Sequence, residues 1–174
     1  MKLITGILAC DERALSAAKT RLESALGEID LVSDIWPFDQ TGYYTAEIGP
    51  RIIRQFVSFT QLIDPGELAD IKHQTNALER ELAKSLNLAF PRPVNLDPGI
   101  IEPSKLVLAT TKNYSHRIYI GKRMYAEVTL VYDKGAWRPL AYTYPDYRSP
   151  QYFEFLAKVR GRLLDQLRAT ARGQ

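Results

Sequence analysis

The sequence predicts an α+β fold: a ferredoxin-like βαββαβ core followed by a C-terminal antiparallel β-meander and a terminal helix. Three observations lead there. Apolar runs and helical periodicities succeed one another as strand, helix, strand, strand, helix, strand over residues 1–100. After His116, short strand patterns are separated by tight-turn sequences. A capped stretch with an apolar stripe then closes the chain.

Taken in order, "KLITGILA" is a continuous apolar run, which suits a strand covered on both faces. Asp11 offers an N-cap to a helix whose Leu15, Ala18, Leu22 and Ala25 recur at helical spacing up to Gly27. "IDLVSDIW" reads as a second strand, stopped by Pro37. "PFDQTGYYTAEIGP" has glycines at 42 and 49 and no clear period, so it reads as a loop, with Tyr43 and Tyr44 either packing plugs or ligand contacts. "RIIRQFVSF" is the third strand. Asp64 then serves as N-cap, Pro65 as the first helical position and Glu67 as a residue placed to reach back. The helix they open carries Leu68, Ile71, Thr75, Leu78 and Leu82 on one stripe and runs towards Leu86, before "FPRP" breaks it. "PVNLDPGII" supplies the fourth strand of the core.

The remainder, 101–174, reads as an extension of the same single domain, because no Gly/Ser-rich linker, low-complexity tract or fixed-period repeat divides the chain. "EPSKLVLATTK" suits a short helix starting at Pro103 and Ser104 or a buried strand through Leu106, Val107 and Leu108; we read a short helix over 103–112. "RIYI", "MYAEVTLVY" and "WRPLAYTY" form the meander, with turns at 121–123 and 133–136. Ser149 and Pro150 open the last helix, whose buried stripe is Phe153, Leu156, Val159, Leu163 and Leu167.

Composition excludes several classes. The 23 Lys and Arg against 20 Asp and Glu leave a charge of +3, too weak by itself to indicate nucleic acid. No apolar run approaches the roughly 18–20 residues of a membrane span. "LITGILAC" faintly resembles a lipoprotein cleavage box, but only Lys2 precedes it and a core strand explains it better. A single cysteine fits a reducing, cytoplasmic setting, and with two histidines it leaves few strong metal ligands, so no metal site is expected. Cys10 precedes a capped helix but carries no nucleophile signature.

The blocks "FDQTGYYTAEIG", "VNLDPG", "SKLVLATTKNYSHRIY", "YAEVTLVY" and "TYPDYRS" resemble the bacterial family catalogued as domain of unknown function 4416. The resemblance spans nearly the whole chain and implies no activity. Some members carry a GTP-binding description, which these residues do not support. A P-loop needs G-x-x-x-x-G-K-[ST], whereas Gly121-Lys122 is followed by Arg123 and has His116 where the first glycine should stand, so no P-loop for GTP or ATP is present.

The densest chemistry is "TTKNYSHRIYIGKRMY" (110–125). If the first hairpin turns about Lys122, Ile118 faces Ala126, Ile120 faces Met124 and His116 faces Val128 on an apolar side. The opposite side pairs Arg117 with Glu127 and Tyr119 with Tyr125. A second hairpin turning at Lys134-Gly135 adds Tyr142 beside Glu127 and Tyr144 beside Tyr125. Two basic patches follow: Lys112, His116 and Arg117 at the hairpin base, and Lys122 and Arg123 at its tip, near Asp146 and Arg148. Tyrosines offer stacking surfaces, Arg117 a fork of donors for phosphate or carboxylate, and Glu127 a carboxylate that can move a proton. An ordinary exposed sheet face with a cross-strand ion pair, or a face covered by the last helix, has the same pattern.

Glu127, His116 and Asp97 are therefore the candidate catalytic residues. Lys112, Arg117, Tyr119, Tyr125, Glu127, Tyr142 and Tyr144 are the candidate ligand contacts, with Lys122, Arg123 and Arg148 the second basic patch. Asp97 in "NLDPG" also reads as turn chemistry, and His116 as a hydrogen-bonded histidine at the core edge. His73 reads as a solvated histidine near Asp70. The expected function is binding of a small anionic ligand or nucleotide, with catalysis open. The alternative is a non-catalytic RNA-binding or protein-interaction module.

Overall fold

β1 (Lys2–Ala9), buried at every residue, fixes the layering of the molecule, which a computed structural model describes over residues 1–39 and 42–172. Leu3, Ile7 and Ala9 pack on one side against α1 (Glu12–Leu26) and α3 (Leu68–Leu86). Ile4, on the other side, joins the cluster that holds Tyr152, Phe155, Leu156, Val159 and Leu163 of the last helix, α4 (Pro150–Arg172). A sheet covered on both faces has nearly continuous apolar strands, which explains the unbroken run of β1.

The remaining elements are β2 (Ile29–Val32), β3 (Trp36–Pro37), the single-turn α2 (Thr45–Ile48), β4 (Ile53–Leu62), β5 (Val94–Ile101), β6 (Lys105–Thr110), β7 (Ile118–Gly121), β8 (Met124–Asp133) and β9 (Ala136–Pro139). Among the described residues the fold is thus α+β, with four α-helices and one nine-stranded antiparallel sheet. Its order is β2-β4-β1-β5-β6-β8-β7, with β3 also paired to β4 and β9 to β8. No helix among the described residues is long and apolar enough to cross a membrane.

Local chemistry accounts for the helix starts. The Asp11 carboxylate accepts from the Ala14 amide at 2.7 Å. The Asp64 carboxylate accepts from Gly66 at 2.6 Å and opens a 3₁₀ turn, Pro65–Glu67, ahead of α3. Asn87, left-handed at φ 47°, ends α3. Of the apolar stripe read for α4, Leu156, Val159 and Leu163 are buried and Leu167 is exposed, while Tyr152 and Phe155 join the core.

Four expectations require correction. Residues 105–110 form strand β6, not a helix. Leu106 and Leu108 pack on the α4 side while Val107 and Ala109 pack with Leu68 and Ile100 on the other, so the apolar run serves two faces. "IDLVSDIW" splits into β2 and β3, both paired to β4. The second hairpin has the expected register, Asp133↔Ala136 to Leu130↔Pro139, but β9 stops at Pro139, which has no N–H to extend the ladder. In the first hairpin Ile118↔Ala126 and Tyr119↔Tyr125 form as expected, but Gly121 opposes Met124. The chain turns away before Ile118, with the Arg117 amide bonded to the Tyr114 carbonyl.

One irregularity positions the site. β5 pairs with β1 along its whole length, from Lys2↔Ile101 to Ala9↔Val94, yet with β6 only at Gly99↔Leu108, Ile100↔Val107 and Ile101↔Leu106. Pro98 has no N–H to carry the ladder further. At Gly99 the strands approach so closely that a Cβ would lie 2.5 Å from the Val107 carbonyl oxygen. Beyond that pinch β6 continues with β8 and the sheet opens.

Candidate functional site

The opening between β5 and β6 is a cavity of about 660 Å³, within the range of about 300–1,000 Å³ usual for small-molecule sites. Lys72 and Asn76 of α3, Arg54 of β4, and Asn95 and Asp97 of β5 contribute to its wall, together with Phe38, Tyr44 and the Tyr144–Tyr147 segment. Five cations (Arg54, Lys72, Arg92, Lys112, Arg117) and four carboxylates (Glu47, Asp97, Glu127, Asp146) line it.

Sheet register places the deep groups. Leu8 opposes both Arg54 and Asn95, and Gly6 opposes Asp97 and Phe56, so Arg54, Asn95 and Asp97 share one face. Gly6 makes the arrangement fit: a Cβ there would lie 2.6 Å from Arg54 Nη1 and 2.9 Å from Phe56 Cε1. The Arg54 guanidinium sits 5.2, 5.3 and 5.6 Å from the ring centroids of Phe38, Phe56 and Tyr147. Its Nη2 donates to Asp146 Oδ2 at 2.9 Å. Burial alone would lower the Arg54 pKa, but the Tyr147 phenol and the Asp146 and Asp97 carboxylates outweigh it and raise the value, keeping the charge. Burial pushes the Asp146 carboxyl up against the pull of Arg54, and burial pushes up the Tyr44 phenol, with the Asp97 charge adding to it.

Asp97 is the accessible carboxylate of this group, with its side chain 25% exposed. Asn95 Nδ2 donates to its Oδ2 at 2.7 Å. Lys72, held by a 2.7 Å bond to the Leu96 carbonyl, brings Nζ to 3.7 Å from Oδ1, and Arg54 Nη1 lies 3.8 Å from Oδ2. Behind them Arg92 donates to Glu79, Glu47 and Asn95, and Glu79 accepts from the Leu96 amide at 2.7 Å. Burial raises the Glu79 pKa, with Lys72 and Arg92 opposing.

At the other end, Glu127 Oε2 accepts from Arg117 Nε at 2.8 Å and pairs with His116 Nε2 at 2.9 Å. Arg117 Nη2 donates to the Tyr144 hydroxyl at 2.6 Å and Nη1 to the Lys112 carbonyl at 3.1 Å. Burial would lower the Arg117 pKa, but its bonds to Glu127 and Tyr144 raise it overall. Lys112 Nζ donates to the Tyr43 hydroxyl at 2.7 Å.

The sequence-derived candidates thus divide. Asp97, Lys112, Arg117, Glu127 and Tyr144 line the cavity. Asp97 lies within β5 and makes no turn, because Pro98 and Gly99 continue the strand. His116 is bonded to Glu127 and its ring stacks on Tyr142 at 4.0 Å, since the turn before Ile118 removes it from the apolar face on which alternation placed it. Tyr142 and Tyr144 approach from the segment after β9 and not as cross-strand neighbours. Tyr119 and Tyr125 meet edge to face at 5.5 Å and lie outside the cavity. Ile118, expected on the core side, is 71% exposed because β7 ends the sheet. Lys122, Arg123 and Arg148 do not cluster. Lys122 pairs with Asp70, and its carbonyl contacts His73 Nε2 at 2.8 Å, so His73, exposed as expected, also touches the hairpin tip. The Arg148 guanidinium donates to the carbonyls of Thr143, Leu140 and Ala141, and Asp146 faces Arg54. Among the described residues no group of three or more His, Cys, Asp or Glu is placed to hold a metal.

The sequence reading passed over Arg54, Lys72 and Arg92, and placed Asn95 only at the turn read for "NLDPG". Two of them left a signal. Arg54 interrupts an apolar strand, and Lys72 with Glu79 lies on the buried stripe of α3, seven residues apart on one helix face. A charged residue on a buried face needs a partner, and here Arg54 bonds Asp146, Lys72 the Leu96 carbonyl and Glu79 Arg92.

A family model described as "Domain of unknown function (DUF4416)" matches residues 1–162. No curated protein and no solved structure matches the chain.

Proposed function

We propose a function from the cavity itself, because the chain belongs to the DUF4416 family, whose description assigns no activity. The cavity between β5 and β6 binds a small anionic ligand, and five cations against four carboxylates leave it a positive balance. One observation carries this reading. Arg54 is 3% exposed, yet its Nε and Nη1 have no hydrogen-bond partner among the described residues, and it forms part of the cavity wall. A buried donor left unpaired costs about 1–3 kcal/mol; no water-sized group reaches these nitrogens, and the charge kept at that cost acts on an anion in the cavity through the electrostatic field of the wall. Lys112 and Arg117 form the outer part of the site. Asp97 and Glu127 are the candidate proton-exchanging groups in the cavity wall, with His116 bonded to Glu127, so the site has the means for acid–base catalysis.

In this reading the first four strands of the topology, in the order β2-β4-β1-β5 with α1 and α3 on one face, form a ferredoxin-like unit. The single cysteine supports a reducing, cytoplasmic setting. A second reading, an RNA or protein partner, draws on exposed Tyr114, Ile118 and Tyr119 near the free β7 edge.

The test is thermal shift with a panel of phosphorylated and carboxylated metabolites on the wild type and on Thr110→Trp, which fills the cavity. A ligand at 100 times its Kd stabilises by about 2.7 kcal/mol, or about 5–11 °C for a domain of this size. The reading requires such a shift in the wild type and its loss in Thr110→Trp. A panel without effect, or a shift that survives the substitution, removes the site.

A further inference from the structure

Four carboxylates line the cavity, and their partners set them apart. Asp146 is buried and accepts from Arg54 at 2.9 Å. Glu127 is buried as well, and its Oε2 accepts from Arg117 and pairs with His116. Glu47 is the most exposed of the four and accepts from Arg92, where water competes for its oxygens. Asp97 lies between these extremes. Asn95 Nδ2 donates to its Oδ2 at 2.7 Å, whereas Oδ1 is not buried and has no hydrogen-bond partner among the described residues, Lys72 Nζ standing 3.7 Å away.

A chain of fixed donors commits Oδ2. Arg92 has only N–H donors, so the Asn95 atom that it meets is the carbonyl oxygen, and the Nδ2 end of the amide faces Asp97. Arg92 is itself held, donating from Nε and Nη2 to Glu79 Oε2 and from Nη1 to Glu47. The other Glu79 oxygen accepts from the Leu96 amide and Lys72 donates to the Leu96 carbonyl, each at 2.7 Å, so α3 clamps both polar groups of the residue between Asn95 and Asp97. Asn95 is buried, and turning its amide over would set donor against donor at Arg92. Oδ2 of Asp97 therefore accepts in either protonation state, and a proton gained by this carboxyl sits on Oδ1. We infer that Asp97, through Oδ1, is the group of this site that accepts a proton or a hydrogen bond from the ligand, and that Arg92 is its positioning residue, acting through Asn95. The ligand then carries an O–H or N–H donor besides its anionic group. The inference rests on the anion-binding reading above and assigns the proton-exchanging role within that site to one residue.

The test follows the Asp97 carboxyl carbon resonance by NMR at neutral pH. In the ligand-free protein, Arg92→Met moves this resonance, and moves it markedly less once Asn95→Leu has removed the amide that links the two residues, because the effects of coupled residues are not additive. No movement on Arg92→Met, or equal movement in both backgrounds, overturns the positioning role, since a merely structural arginine gives the first result and one acting by its charge alone gives the second. If a variant does not fold by circular dichroism, the wild type decides: the Asn95 Nδ2 protons and the Asp97 carboxyl carbon report one shared titration as pH is lowered, and amide protons indifferent to it overturn the assignment. For Oδ1 the probes are glycerol 3-phosphate and propyl phosphate, which share an anion and a chain length and differ in hydroxyl donors. Both bind the wild type, and glycerol 3-phosphate moves the Asp97 resonance markedly more. Equal movement by the two, or none by either, overturns the role of Oδ1 and leaves the anion reading standing, whereas absence of binding by both overturns that reading.

Discussion

Gly6→Ala probes the deepest part of the site with a single methyl group. The strand conformation at Gly6 accepts alanine, and in a site with open space the change would stabilise by about 0.4–1 kcal/mol through the unfolded chain. Here the new Cβ meets Arg54 Nη1 at 2.6 Å, Phe56 Cε1 at 2.9 Å and Tyr147 Oη at 3.2 Å. Arg54 cannot swing aside freely, because Asp146 bonds its far nitrogen at 2.9 Å and three rings surround it. Overpacking of this kind costs about 1–3 kcal/mol, so the steric effect wins and the net loss is about 0.5–2 kcal/mol. At about 2–4 °C per kcal/mol, Tm falls by about 1–8 °C in calorimetry, with urea midpoints moving in parallel. A Tm equal to or above that of the wild type would mean that the guanidinium does not occupy the space over Gly6, and the unpaired donors attributed to it would lose their place in the cavity wall.

Further outcomes follow from other contacts. Gly99→Ala sets a Cβ 2.5 Å from the rigid Val107 carbonyl and 2.7 Å from Leu108 Cδ2; it destabilises by about 2 kcal/mol or more and increases amide exchange over β6, whereas unchanged exchange would deny the pinch between β5 and β6. Tyr147→Phe removes a buried hydroxyl that has no partner among the described residues, so the ligand-free protein melts within about 2 °C of the wild type or above it; a larger fall would show that the hydroxyl is bonded. The Asp146 carboxyl titrates above its unfolded value, burial being the main cause. Between the ordinary aspartate value of about 3.9 and the raised one, the folded state holds more proton than the unfolded state, so this group makes stability fall as pH rises through that window. Asp146→Asn makes the dependence of the urea midpoint on pH less negative from about pH 4 upwards; an unchanged slope contradicts the shift.

Much of the framework was legible because local chemistry and long-range packing agree. Asp11 before a 3.6-residue stripe, Pro65 after Asp64, and Pro150 after Ser149 each announce a helix that the tertiary structure keeps. β6 was misread because a short run such as Leu106-Val107-Leu108 fits a buried helix or a strand equally well, and only the helices packed on both sides of the sheet decide it. The second hairpin was read correctly in register but carried too far, since Pro139 ends β9 and the tyrosines beyond it reach Arg117 and His116 from an irregular segment. The outer half of the site, Arg117 with Glu127, came from hairpin arithmetic. The inner half could not. It assembles Arg54, Lys72 and Asp97 from β4, α3 and β5 around a place where two strands part, and that parting depends on a pairing that Pro98 and Gly99 limit.

A crystal structure of the protein grown with the phosphate-bearing ligand that stabilises it most would be the most direct measurement. The account predicts density in the cleft between β5 and β6, with the anionic group towards Lys112 and Arg117. A ligand on the Tyr119–Tyr125 face or at the β7 edge, or a cleft occupied by the protein's own Phe38 and Tyr44 side chains, would contradict it.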